Sequence, residues 1–239
     1  MLKKALVTGS AVGIGKAIAL DLASKGFDLA IHYRRSMEPA KQACAEAIAM
    51  GVKAVPIAAD VTDPQAAESL VNQAADQLGG LSVVVNNVGN YVEIPTLELG
   101  IEDWQEMINS NLNATFYVTR AAIPHLESAG WGRIVNIGFA SAQNLVARKY
   151  ITPYVIAKTG VMIYTKSIAK DLITKNITAN VVSPGVAENS IDLEEFLGNL
   201  PTGRPATLKE MTDAVWFFIN PDSGYVTGQI IEVAGGWNL

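Results

Sequence analysis

One cysteine and two histidines leave this chain of 239 residues without the means to build a disulfide framework or a Cys/His metal centre. The lone cysteine, Cys44, sits in "AKQACAEAIAM", an Ala-rich helical pattern in which a small apolar thiol serves packing. Positive charge is scarce as well: 18 Lys and Arg against 23 Asp and Glu give a formal net charge of −5. Non-specific nucleic-acid binding needs clustered cations, so no nucleic-acid partner is expected. No apolar run reaches the roughly 18 residues of a membrane span, which removes the membrane as a partner. "MLKKALVTG" enters a strand almost at once and leaves no room for a signal peptide. The expectation is a soluble, cytoplasmic protein without a metal. Apolar residues are plentiful, at 49%, enough for a core covered on two sides.

Short β-rich runs alternate with helical stretches along the whole chain. "KALVTG", "FDLAIHY", "KAVPIAA", "LSVVVNN", "GRIVNIG", "ITANVVS" and "GQIIEVAGG" read as seven strands. The spacing predicts helices from Gly13 to Lys25 with Gly26 as the stop, from Ser36 to Gly51, and from Asp63-Pro64 onward. It also predicts one long helix from Ile101 to Glu127, and one capped by Thr152-Pro153 that runs to Thr174. Thr207 and Glu210 form a capping box before "MTDAVWFFI". Pro56 cannot donate to a ladder, so the third strand belongs at a sheet edge. With no break in composition, residues 1–239 read as one α/β domain, a doubly wound parallel sheet of Rossmann type in the order 3-2-1-4-5-6-7.

Two segments carry chemistry. "VTGSAVGIGKA" places Gly9, Gly13 and Gly15 between the first strand and the first helix, where a bare backbone lets a diphosphate approach the helix N-terminus. The second strand ends in Tyr33, where an acidic residue would bind the adenosine ribose of NAD, and Arg34 and Arg35 follow. Guanidinium groups pair with a 2′-phosphate, so NADP(H) is preferred over NAD(H). His32, inside that strand, reads as a packed residue. Further on, Tyr154 and Lys158 are four apart on one helix face. An ammonium beside a phenol favours the phenolate and lowers its pKa, which makes Tyr154 a proton donor to a carbonyl that receives hydride.

With these motifs in place the chain resembles a short-chain dehydrogenase/reductase from end to end, in the style of 3-oxoacyl-acyl-carrier-protein reductases. The family's TGxxxGxG appears as Thr8 to Gly15, including Ser10 and Ile14. Its aspartate near the adenine appears as Asp60 with Val61 following, and its NNAG as Asn86-Asn87-Val88-Gly89. Its helix asparagine, which organises a water-linked proton relay, matches Asn111, and its PG after strand six matches Pro184-Gly185. The resemblance implies that Lys158 also holds the nicotinamide ribose and that Val186 meets the carboxamide. It also implies a homo-oligomer, a tetramer or a dimer, paired through the long helix and the Tyr154 helix.

One departure stands out. The family closes strand five with a serine that helps polarise the substrate carbonyl. Aligned on "GRIVNIG" that site falls on Phe139, while counting 13 residues back from Tyr154 lands on Ser141. Ser141 is the expected substitute; Asn144, a water or nothing at all are the alternatives. After strand six, Asn189 and Ser190 stand where the family often has a threonine, and residues 188–204 are expected to form a mobile lid. Trp237 reads as an interface or core aromatic. The implied activity is NADP(H)-dependent reduction of a carbonyl, with a 3-oxoacyl thioester, carried on acyl carrier protein, as substrate. A pteridine or other small-molecule reductase is the alternative, and a cofactor-binding scaffold or regulatory protein without turnover is the reading from another class.

Overall fold

Strands buried on both faces need cover on both sides, and the computed structural model, which describes residues 2–191 and 193–237, supplies it. The elements follow in the order β1 (Lys4–Val7), α1 (Gly13–Ser24), β2 (Asp28–Tyr33), α2 (Met37–Ala49), β3 (Ala54–Ala58), α3 (Pro64–Leu78), β4 (Val83–Asn86) and α4 (Ile101–Ile108). The second half contains α5 (Ala114–Ser128), β5 (Gly132–Ile137), α6 (Thr152–Leu172), β6 (Ile177–Pro184), α7 (Leu193–Leu197), α8 (Leu208–Ile219) and β7 (Ile230–Val233). All seven strands are parallel, in the order β3-β2-β1-β4-β5-β6-β7. Pro56 therefore lies in an edge strand, opposite Ile31 of β2.

Alternation along the strands divides the core. Ala5 and Val7 of β1 and Val83 and Val85 of β4 pack with Ile18, Leu22, Ala43 and Phe218 from α1, α2 and α8. Leu6 and Val84 face the other way, against Leu70, Val71, Val118, Leu126 and Leu172 from α3, α5 and α6. Among the described residues no helix is long and apolar enough to cross a membrane.

Local signals explain several helix ends. Asp63 accepts the Ala66 N–H at 2.7 Å, with Pro64 in the first turn, and the Thr207–Glu210 capping box forms in both directions. Two ends and one helix interior differ from expectation. Ser36 makes no side-chain cap. Thr152 is the first residue of α6 rather than its cap, and its hydroxyl donates to the Arg148 carbonyl at 2.7 Å. The helix expected over 101–127 is interrupted by a π turn at Asn109–Asn113. Within that wider turn the Asn111 side chain donates to the Met107 carbonyl at 3.0 Å, and Thr115 Oγ1 donates to the Asn111 carbonyl at 2.8 Å.

A buried polar chain fastens the middle of the sheet to its helices. Asn86 Nδ2 donates to Thr119 Oγ1 at 2.8 Å and to Asn136 Oδ1 at 2.7 Å. Asn136 Nδ2 donates to Thr165 Oγ1 at 2.8 Å, which in turn donates to the Val161 carbonyl at 2.7 Å. Removing a middle member leaves buried donors without partners. Asn136→Ala is expected to lower the unfolding free energy by about 2–3 kcal/mol in a urea titration. A loss below about 0.5 kcal/mol would show that the chain of bonds is dispensable.

Candidate active site

Every strand of a parallel sheet ends at the same edge, and the chemistry-bearing residues gather there. Gly9 and Gly13 take φ of +64° and +60°, values that a side chain disfavours. A Cβ on Gly15 would lie 2.3 Å from the Gly9 carbonyl oxygen and 2.5 Å from Asn87 Nδ2. The loop thus closes on itself only with glycine at Gly15. α1 begins at Gly13 with no side-chain cap and no acidic residue in its first turn. Its first N–H groups and dipole are left for an anion, which fits a dinucleotide diphosphate.

Around this cradle the expected cofactor residues divide. Ile14, Asn87, Gly89, Pro184, Gly185 and Val186 line a cavity of about 700 Å³ together with Tyr154 and Lys158. Tyr33, Arg34, Arg35, Asp60 and Val61 lie away from it, at the ends of β2 and β3. Arg34 Nη1 stands 3.5 Å from Asp60 Oδ2, and Asp60 Oδ1 accepts from Thr62 N and Oγ1 at 3.1 and 2.7 Å. Val61 is buried in the core, leaving its backbone alone for a ligand. Ser10 is fully buried, and its hydroxyl donates to the Val7 carbonyl at 2.7 Å and accepts the His32 N–H at 3.1 Å. It shapes the loop from within rather than pointing outward.

Lys158 is 4% exposed, and its Nζ donates to the Ile137 carbonyl at 2.9 Å. Burial pushes its ammonium down to about 8. The same burial pushes the Tyr154 phenol up from its ordinary value, the reverse of the shift expected from a neighbouring ammonium. Desolvation outweighs the cation here: Nζ lies 5.6 Å from the centroid of the ring. Asn111 is fully buried, and its Oδ1 has no partner among the described residues. A Cβ on Gly89 would meet that oxygen at 2.2 Å and Lys158 Nζ at 3.2 Å, so both side chains converge on the bare glycine.

The cavity wall beside Tyr154 is aromatic. Phe139 and Tyr91 stand edge-on to the Tyr154 ring at 5.3 and 5.1 Å, and Trp237 bridges Phe139 and Phe196 at 6.1 Å from each. Phe139 is therefore on the wall where a hydroxyl was expected. Neither Ser141, the expected substitute, nor Asn144, one of the alternatives, lines the cavity. The reason is the path of the chain after β5. Ala140 N donates to the Pro184 carbonyl at 2.9 Å, and Ser141, at φ +65°, donates its N–H to Glu232 Oε1 at 2.6 Å. Ser141 and Leu145 both take left-handed backbone, and Ser141 Oγ accepts from Arg148 Nη2 at 2.6 Å.

Trp237, read as a core or interface aromatic, lies on the cavity wall, and so do Tyr91, Arg148 and Phe196, which the sequence reading did not single out. A signal for Trp237 was present: Gly235 and Gly236 take φ of +57° and +83° and turn the chain just before it. Asn189 and Ser190 both line the cavity, with Ser190 Oγ accepting from Ala187 N at 2.9 Å. Among the described residues no group of three His, Cys, Asp or Glu is placed to hold a metal ion.

Comparison with known proteins agrees with this geometry. The family profile described as Enoyl-(Acyl carrier protein) reductase matches residues 9–238. The 3-oxoacyl-(acyl-carrier-protein) reductase of Staphylococcus aureus is 33% identical over 243 residues, covering 99% of this chain and 98% of the relative. The D-beta-hydroxybutyrate dehydrogenase of Rhizobium meliloti is 30% identical, covering 99% of each. Among solved structures, a short chain dehydrogenase from Burkholderia cenocepacia in complex with NADP superposes with a TM-score of 0.93 at 32% identity, covering 99% and 98% of the two chains.

His32 is the residue at this edge whose role spacing did not reveal. Its Nδ1 accepts the Gly9 N–H at 2.9 Å and its Nε2–H donates to the Ala59 carbonyl at 3.1 Å, so one neutral tautomer ties the glycine loop to the end of β3. Burial, opposed in part by the Ala59 carbonyl and Asp60, holds the imidazole down to about 4 from 6.5. Between those values the unfolded chain takes up a proton that the folded chain does not. Stability is therefore fully present above pH 6.5 and falls as pH drops toward 4. Denaturant titrations from pH 7 to pH 4 should show the wild type losing about 3 kcal/mol more than His32→Gln. Parallel losses in the two proteins would refute the assignment.

Proposed function

The chain belongs to the short-chain dehydrogenase/reductase family, and for this member we propose NADP(H)-dependent reduction of a carbonyl, with a 3-oxoacyl thioester as the substrate. The observation that carries the reading is the pair on α6: a half-buried phenol on the cavity wall with a buried ammonium one turn away. The cofactor, when bound, supplies a hydride to the carbonyl carbon. Tyr154, kept protonated by burial, gives its phenolic proton to the carbonyl oxygen. Lys158 then faces the phenolate and compensates its charge. Asn111 Oδ1, which converges with Lys158 on Gly89, is suited to hold a water that returns the proton.

Gly9, Gly13, Ile14 and Gly15 cradle the diphosphate, and Arg34 with Arg35 supports the choice of NADP(H), since two exposed guanidinium groups follow β2 where an acidic residue would exclude a 2′-phosphate. Asn87, Pro184, Gly185 and Val186 are assigned to the nicotinamide end because they share the cavity with Tyr154. The names of relatives support a keto or hydroxy substrate: 3-oxoacyl thioesters for one and hydroxybutyrate for another. Phe139 on the cavity wall favours a second reading, a pteridine or other small-molecule reductase. Exposed Phe116, Ile156 and Ile163 on α5 and α6, with Phe116 against Tyr164 at 5.6 Å, support a homo-oligomer paired through those helices.

NADPH absorbance followed with acetoacetyl-CoA tests the reading. Tyr154→Phe should lower kcat by about 10²-fold or more while NADPH still binds. Consumption of NADPH with a dihydropterin but not the thioester would transfer the assignment to the second reading. Binding of NADPH without turnover of either would leave a non-catalytic protein. In the same assay Arg34→Ala/Arg35→Ala should raise the KM for NADPH on the order of 10-fold and leave that for NADH nearly unchanged. Equal changes for both cofactors would remove the arginines from 2′-phosphate recognition.

A further inference from the structure

Arg148 lines the cavity that holds Tyr154, and its side chain is half-buried. No carboxylate pairs with its guanidinium among the described residues. Its one bonded side-chain partner there is neutral: Ser141 Oγ accepts from Nη2 at 2.6 Å, and Ser141 is itself held through its amide by Glu232 Oε1 at 2.6 Å. The arginine is thus aimed by a buried serine whose backbone is held by Glu232. A half-buried cation is ordinarily matched by an anion, and a guanidinium presents two parallel N–H groups that suit a carboxylate or a phosphate.

The other charges on this wall do not provide that anion. Glu93 is exposed and takes the Tyr91 hydroxyl, and Glu195 is exposed on α7. Lys149 is a second cation, exposed, with its Nζ 5.0 Å from the Tyr150 ring centroid. Lys158, deeper, is bonded to the Ile137 carbonyl.

We propose that Arg148, positioned by Ser141, binds an anionic oxygen group on the carbonyl substrate, so that this site takes ketones carrying a negative charge. The inference rests on the reading of the cavity as the carbonyl site. The anion has two sources with the same chemistry: the carboxylate of a free oxo acid, or a phosphate on the pantetheine arm of a thioester. Ser141 is a positioning residue, acting through the guanidinium and not on the carbonyl.

Matched substrates separate these. Acetoacetate and methyl acetoacetate share one ketone and differ by a charge; acetoacetyl-4′-phosphopantetheine and acetoacetylpantetheine differ by the phosphate. With NADPH as reductant, the ratio of kcat/KM for the charged over the neutral member should fall on the order of 10- to 100-fold in Arg148→Met for one of the pairs, through KM more than kcat. Ser141→Ala should shift the same ratio less, in the same direction, and Lys149→Met should not reproduce it. A response confined to the acetoacetate pair identifies a carboxylate, and one confined to the thioester pair a phosphate. Unchanged ratios in Arg148→Met, or an equal effect from Lys149→Met, overturn the proposal. If the wild type reduces none of the four, the reductase reading fails, and calorimetric titration of the NADPH-loaded proteins with acetoacetate and with coenzyme A decides this one. Binding that is lost in Arg148→Met upholds it; equal binding, or none, overturns it.

Discussion

An ammonium held inside the protein is the constraint on which this edge of the sheet depends. Taking a cation out of water costs several kcal/mol unless nearby dipoles compensate, and Lys158 is met by the Ile137 carbonyl at the last residue of β5. That bond fixes α6 against the sheet and so sets where Tyr154, one turn earlier, projects. It also restricts the neighbours. Gly89 must lack a side chain, because Asn111 Oδ1 and Lys158 Nζ occupy the space a Cβ would need. Asn111 reaches that position from a π turn, a wider helical turn that a regular α-helix over the same residues would not provide.

Burial moves the two groups of the pair in opposite senses, and the combination suits reduction. The phenol is raised and the ammonium lowered, so burial disfavours an isolated charge on either side chain. On the proposed reading, a Tyr154 that gave up its proton would leave a phenolate facing an ammonium, and the two charges would be compensated together. The proton is held until an acceptor arrives, and its departure is not left uncompensated. The glycine cradle has a similar logic at lower cost, since His32 uses a neutral imidazole as both acceptor and donor to fix two loops without placing a charge beside them.

Much of this was legible in local sequence because local physics decides it. Pro56 sits at an edge since it has no N–H for a ladder, Thr207 and Glu210 form their capping box within one turn, and Gly9, Gly13 and Gly15 sit where a strand must turn tightly into a helix. What spacing could not show depends on contacts far along the chain. The π turn is stabilised by a side chain reaching back four residues, in a stretch whose apolar spacing reads as one helix. Trp237 reaches the cavity because it meets Phe139 and Phe196, both distant in sequence. Ser141 could be counted to the right distance from Tyr154, yet its direction is set by Glu232 on β7 and by its own left-handed backbone.

The exchange of Phe139 for a hydroxyl and the turn that takes Ser141 away act on one quantity, the placement of the carbonyl. A donor removed from the reacting oxygen forfeits about 3 kcal/mol of transition-state stabilisation. An aromatic wall does not return that energy as a hydrogen bond, but it limits where a substrate can lie, and orientation contributes to rate in its own right. Phe139 and Tyr91 flank the phenol edge-on, with Trp237 behind Phe139, so the surface beside Tyr154 is aromatic on two sides. Binding energy gathered away from the reacting carbon can then hold that carbon in register with the proton donor. The serine turned away from the carbonyl still bears on the site, because its hydroxyl holds the guanidinium of Arg148, which lines the same cavity. On the proposed reading, two points of attachment, the phenol and the guanidinium, would orient a ketone where the usual pair of hydroxyls would have polarised it.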